Sequence, residues 1–126
     1  MIKQLLLVGL GGATGSILRF LTSYATAKYY ANAFPLATFT INVLGCFGIG
    51  LLIGAFGNNM GENQSLRLLL VTGFCGGYTT FSTFALENIL LYQSQNYLTL
   101  IAYTLASVIL GFAAVALGLA LVRLLP

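Results

Sequence analysis

Apolar residues in this chain fall into four long blocks, Leu5–Tyr24, Leu36–Phe56, Leu66–Tyr92 and Leu98–Leu121. Each is long enough for the roughly 20 residues with which an α-helix crosses the hydrocarbon of a bilayer. The interruptions are short and polar: Lys28–Pro35 ends in a proline, Gly57–Ser65 is rich in Asn and Gly, and Gln93–Tyr97 is a brief turn. Loops of this length make consecutive helices run antiparallel. The pattern predicts an all-α integral membrane domain with four transmembrane helices at about 3–27, 36–57, 65–92 and 97–124, and no soluble domain or linker.

Composition agrees on the solvent. Of 126 residues, 59% are hydrophobic and 6% are charged, with a mean hydropathy of +0.97, whereas a soluble domain carries roughly a quarter charged residues. Lipid is therefore the medium, in a multi-pass protein expected in the plasma membrane. Lys3, Arg19, Lys28, Arg67 and Arg123 oppose Glu62 and Glu87. The basic residues are scattered and mostly sit at the ends of apolar runs, which is interfacial anchoring rather than a phosphate-binding surface. No nucleic-acid partner is expected. There is no His, and two carboxylates leave almost no group for acid–base catalysis, so an enzyme is not expected. Cys46 and Cys75 lie inside apolar stretches without neighbouring donors and are expected to pack rather than to bind metal.

The first block resembles a signal peptide, with Lys3, an apolar run and then Ala25-Thr26-Ala27. Arg19 interrupts that run, and the segment is expected to be a first membrane helix. Orientation is weakly specified. With four spans, Lys3, Arg67 and Arg123 fall on one side together with Glu62, and Lys28 and Arg19 on the other. Such a poor positive-inside bias is compatible with a single topology, or with insertion both ways round and head-to-tail pairing. Gly11 with Gly15, and Gly50 with Gly54, are small-xxx-small spacings that let helices approach closely in lipid.

The third block holds the chemistry. Its middle reads Gly73-Phe74-Cys75-Gly76-Gly77-Tyr78-Thr79-Thr80-Phe81-Ser82-Thr83-Phe84, with three glycines and then four hydroxyl residues at mid-membrane depth. Glycine is unfavourable within a helix, and a break is expected here. Broken backbone survives in a membrane only where protein or a wet cavity surrounds it, and freed carbonyls at such a break can bind a cation. Beyond the break, Phe81, Phe84 and Asn88 are expected on one helical face and Thr80, Thr83 and Glu87 on the next. Asn42 in the second helix, preceded by Thr38 and Thr40, is expected to make an interhelical hydrogen bond or to offer its amide N–H to a desolvated anion. Tyr103 and Ser107 in the fourth helix share a face. Arg19 is the basic residue well inside a span, and such residues mark function by default. Neutral donors, positive ring edges and one Arg near the mouth suit a small, strongly hydrated anion, which a fixed buried charge would trap.

The chain closely resembles the Fluc (CrcB-like) fluoride channels. The resemblance is carried by Gly11-Gly12-Ala13-Thr14-Gly15-Ser16-Ile17-Leu18-Arg19, by Thr40-Ile41-Asn42-Val43-Leu44-Gly45, and by the run from Gly73 to Phe84 followed by Glu87. It implies an antiparallel, dual-topology homodimer with two pores selective for fluoride. Fluoride would pass Phe81 and Phe84, with Asn42 as donor, Tyr103 and Ser107 in a polar track, and Ser82 and Thr83 adding hydroxyls. Arg19 would sit toward a vestibule and Glu87 near the pore. Backbone carbonyls of Gly76 and Thr79 from both subunits would hold a structural sodium ion. Two departures stand out: Ala37 where many members have Gly, and Gly111 where some have Ser, at the far end of the polar track. The implied task is protection, because hydrogen fluoride enters as a neutral acid and ionises inside. The membrane potential then drives the anion out with about 2.3 kcal/mol per 100 mV. A small-multidrug-resistance exporter has the same size but needs a carboxylate in its first helix, where this chain has Arg19. A non-conducting scaffold would leave the hydroxyl-rich break without a purpose.

Overall fold

A computed structural model describes residues 1–57 and 63–124. Glu62, which entered the charge balance above, lies outside the described residues. Four helical spans are long and apolar enough to cross a membrane: Ile2–Tyr29, Leu36–Phe56, Gln64–Gln93 and Tyr97–Leu124. Among the described residues there is no strand. The protein is an all-helical, multi-pass membrane protein.

The chain changes direction where its side chains require it. Tyr30 leaves the first helix in extended backbone (φ −135°, ψ 113°), and its N–H still donates to the Thr26 carbonyl at 2.9 Å. Pro35, which could not extend the first helix, stands immediately before the first residue of the second. A turn at Ser94–Asn96 joins the third span to the fourth, with Gln95 at φ 57° and the Asn96 N–H donating to Leu91.

Helices adjacent in sequence are not the principal packing partners. The first helix lies along the N-terminal half of the third span, and the second lies along the fourth. Glycine rows account for both pairings. A Cβ at Gly11 would meet the Leu69 carbonyl and the Phe74 nitrogen (2.8 Å), and one at Gly15 would meet the Phe74 carbonyl and the Tyr78 nitrogen (2.9 Å). Gly77 in turn faces the Gly12 backbone. On the other side Gly50 faces Val115 and Gly118, and Gly54 faces Val122 and Leu119. Without a hydrophobic drive between helices in lipid, this backbone-to-backbone approach is the packing force. Very little is fully enclosed within one chain: Tyr103, Ile41 and Cys75 are buried, whereas large apolar side chains all round the bundle remain open to lipid or to another chain. Cys46, expected to pack, is partly exposed.

The third span departs most from a regular helix. After one turn at Gln64–Leu66 it is wound as a π-helix over Arg67–Cys75, then returns to α over Gly76–Tyr78. At the transition the Gly76 N–H donates to both Gly73 and Val71. The wider winding was not anticipated, because i→i+5 bonding leaves no periodic or compositional mark.

Gly15→Ala places a methyl against main-chain atoms that have no freedom to yield, and should lower stability by about 1–3 kcal/mol. Gly9→Ala meets nothing within 4 Å and should be neutral or stabilising by up to ~1 kcal/mol. Thermal unfolding of the purified protein in detergent checks both, and equal losses would contradict the glycine-row packing.

Candidate functional site

The helix breaks at Thr79 and Thr80, two residues after Gly77. Thr79 (φ −78°, ψ 159°) and Thr80 (φ −150°, ψ 110°) are extended, and the helix resumes over Phe81–Gln93. The break expected within the run from Gly73 to Phe84 is found at these two threonines. Gly73 and Gly77 remain helical because the first helix packs against them, while extended backbone suits β-branched threonine.

Asn42 holds the break. Its Oδ1 accepts from the Thr80 N–H at 2.9 Å and its Nδ2 donates to the Thr80 carbonyl at 3.1 Å. One amide thus replaces both helical partners of a mid-span residue, and its second N–H stays available. The donor expected for an anion is first of all the brace that shapes the site. Gly45, three residues on, lets the Thr79 methyl lie directly against the second helix.

The two sides of the break have opposite polarity. On the C-terminal side a new helix begins, and its N-terminus carries partial positive charge. Thr80 is its N-cap: Oγ1 accepts from the Thr83 N–H at 3.3 Å and shares hydrogen bonds with the hydroxyls of Thr83 (2.9 Å) and Ser82 (3.5 Å). The expected face of Thr80, Thr83 and Glu87 therefore starts at Thr83, since Thr80 precedes the helix. On the N-terminal side, diversion of the Thr80 N–H to Asn42 removes the α-helical partner of the Gly76 carbonyl. The Thr79 carbonyl accepts from Arg19 Nη1 at 3.4 Å, so Arg19 is aimed at this carbonyl end.

A cavity of about 290 Å³ opens against the break. Asn42 and Cys46 line it from the second helix, Thr79, Thr80, Phe81 and Phe84 from the third span, and Ser107 from the fourth helix. Ser107 Oγ is buried and has no hydrogen-bond partner. The Phe81 and Phe84 rings lie 5.8 Å apart, tilted by 41°, and Phe81 is 78% exposed. Asn88 is tied into the helices beside them: its Nδ2 donates to the Phe84 carbonyl at 2.8 Å and its Oδ1 accepts from Thr104 at 2.6 Å.

Tyr103 and Ser107, one turn apart, have different surroundings. Tyr103 is completely buried between Phe84 (5.1 Å) and Phe34 (5.4 Å), and its hydroxyl donates to Glu87 Oε2 at 2.7 Å. Thr38 donates to Glu87 Oε1, also at 2.7 Å. Both distances are those of charge-assisted bonds to a carboxylate. Glu87 also lines an outer pocket with Pro35, Ser94 and Asn96, so it stands between the aromatic column and the membrane surface. The Thr38 link was missed in the sequence, although Thr38 lies one turn before Asn42 and hence on the same face. Phe34, in the first loop, carried no signal at all.

These features define a class: a four-span membrane protein with an interrupted third helix and a neutral, donor-bearing cavity at the interruption. Residues 6–119 match the family described as CrcB-like protein, Camphor Resistance (CrcB), and the chain belongs to that family. It is similar to proteins named fluoride-specific ion channel FluC from several organisms. One from Azobacteroides pseudotrichonymphae is 48% identical over 94% of this chain and 94% of the relative. Another from Gloeothece citriformis is 45% identical over 95% and 97%, and one from Ignicoccus hospitalis 47% over 92% of each. These relatives are named as channels rather than enzymes, in keeping with the composition.

Asn42→Ala leaves the Thr80 N–H and carbonyl unpaired in an apolar surround, at about 1–3 kcal/mol for each group, and should sharply lower the unfolding temperature in detergent. Ser107→Ala removes a hydroxyl that bonds to nothing and should leave that temperature unchanged.

Proposed function

We propose that this protein is a passive, fluoride-selective channel of the plasma membrane, working as an antiparallel, dual-topology homodimer that lets cytoplasmic fluoride leave down its electrochemical gradient. The observation that carries the reading is the buried, unpartnered Ser107 hydroxyl beside a helix N-terminus and a spare Asn42 N–H, in a cavity without a fixed charge. A dehydrating anion needs donors of this kind, and a buried cation would hold it too tightly to conduct. The names of the relatives point to the same ion.

In this reading fluoride enters past Arg19, on the carbonyl side of the break, and then meets the Ser82 and Thr83 hydroxyls on the other side. It passes Asn42, Ser107 and the edges of Phe81 and Phe84, and leaves past Tyr103 and Glu87. Neutral ring edges attract an anion without trapping it. Phe81, so exposed in one chain, is then covered by the second subunit. Dual topology follows from the weak charge asymmetry of the loops, and it gives two equivalent pores.

The carbonyl end of the break fits a structural sodium ion in donor chemistry. The Gly76 carbonyl has lost its helical donor, the Thr79 carbonyl is in extended backbone, and both are the hard oxygen ligands that such cations take. One chain supplies too few oxygens, so a second copy completes the set. The bound ion would supply the charge that lets two negative helix ends approach at the centre of the dimer.

Purified protein in fluoride-loaded liposomes should release fluoride rapidly and retain chloride once a potassium ionophore compensates charge, as followed with ion-selective electrodes. Phe81→Ile and Phe84→Ile should abolish release while the dimer stays folded, and Ser107→Ala should slow it by about tenfold, the scale of one lost hydrogen bond. Undiminished release in both Phe variants would sink the ring-edge pathway.

A further inference from the structure

Arg19 raises a question that an anion pathway alone does not answer. Its guanidinium donates to the Thr79 carbonyl, on the negative side of the break. A partly buried Arg in a span ordinarily pairs with a carboxylate. Among the described residues, however, the single carboxylate, Glu87, is already held by Thr38 and Tyr103. The positive charge is therefore directed at the carbonyl oxygen itself.

We propose that Arg19 is a charge filter for the carbonyl end of the break, restricting it to monovalent cations. The inference rests on the reading that the Gly76 and Thr79 carbonyls hold a monovalent cation. Backbone carbonyls are ligands that calcium also takes, so the ligand type by itself does not exclude a divalent ion. A fixed guanidinium on one of the ligating carbonyls adds repulsion in proportion to the charge of the ion. A monovalent ion meets one unit of it and a divalent ion two. Arg19 is thus a specificity-determining residue that acts through a ligand of the ion without being a ligand itself.

The test uses the intact dimer in detergent at constant ionic strength. Its unfolding temperature is titrated with sodium chloride and with calcium chloride, and the metal retained after gel filtration is measured by atomic emission. Wild type should be stabilised by sodium and retain it, and should neither respond to calcium nor keep it. R19Q should be stabilised by both ions, retain calcium, and reach half of its sodium response at a concentration on the order of tenfold lower. R19K keeps the charge and should behave as wild type. An R19Q protein with wild-type sodium response and no calcium response would overturn the filter. So would R19Q failing to assemble while R19K assembles, because the charge would then serve the fold. A wild type indifferent to sodium would instead remove the cation reading on which the filter rests.

Discussion

Thr80 lies at mid-span without either of its helical partners, and a bilayer offers no water to replace them. The Asn42 amide meets both needs with two hydrogen bonds, of 2.9 and 3.1 Å, to the same residue. Everything characteristic of the site depends on this pair. It permits two extended residues between two helix ends, it fixes the second helix against the third span, and it sets where the cavity opens. Asparagine is suited to the task because its side chain carries one acceptor and one donor in the spacing of a peptide group. An apolar residue there would leave the break unsatisfied, and a charged one would put a fixed charge beside the cavity.

Two helix ends then meet near the middle of the membrane, and their dipoles oppose each other. The C-terminal half presents N–H groups and a hydroxyl cluster of Thr80, Ser82 and Thr83, and the N-terminal half presents carbonyls and draws in Arg19. One interruption therefore yields an end suited to an anion and, beside Arg19, an end suited to a cation. The proposed channel and the proposed cation site are two consequences of a single backbone event. The glycine rows serve the same purpose at a distance, since only close approach of the first helix to the N-terminal half, and of the second helix to the fourth, brings Asn42 and Ser107 to the same cavity.

Polar side chains in the spans fall into two groups that composition alone does not separate. Asn88, Thr104, Thr38 and Tyr103 are satisfied across helix interfaces. Ser107 is not, and it lines the cavity. An unsatisfied buried hydroxyl is unfavourable in hydrocarbon, which makes it the clearest mark of a place intended for a ligand. Tyr103, one turn away, has its hydroxyl engaged by Glu87 and its ring tilted against Phe84, so in the proposed pathway it acts through those two residues.

Four spans, their short connections, the lipid environment and the presence of a break in the third were all legible in the sequence. These follow from local quantities: run length, hydropathy, and a dense cluster of glycine and hydroxyl residues. The candidate residues Asn42, Phe81, Phe84, Ser107 and Arg19 could also be named there, because amides and charges inside apolar runs are conspicuous. The sequence did not reveal which residues of the run from Gly73 to Phe84 carry the break, that the preceding turns are π-helical, or that both hydrogen bonds of Asn42 go to Thr80. Each of these depends on which residue of another helix lies opposite, and packing between helices decides that. Hydropathy measures how each segment meets its solvent, whereas hydrogen-bond partners 38 and 60 positions away are chosen only once the glycine rows have set the register.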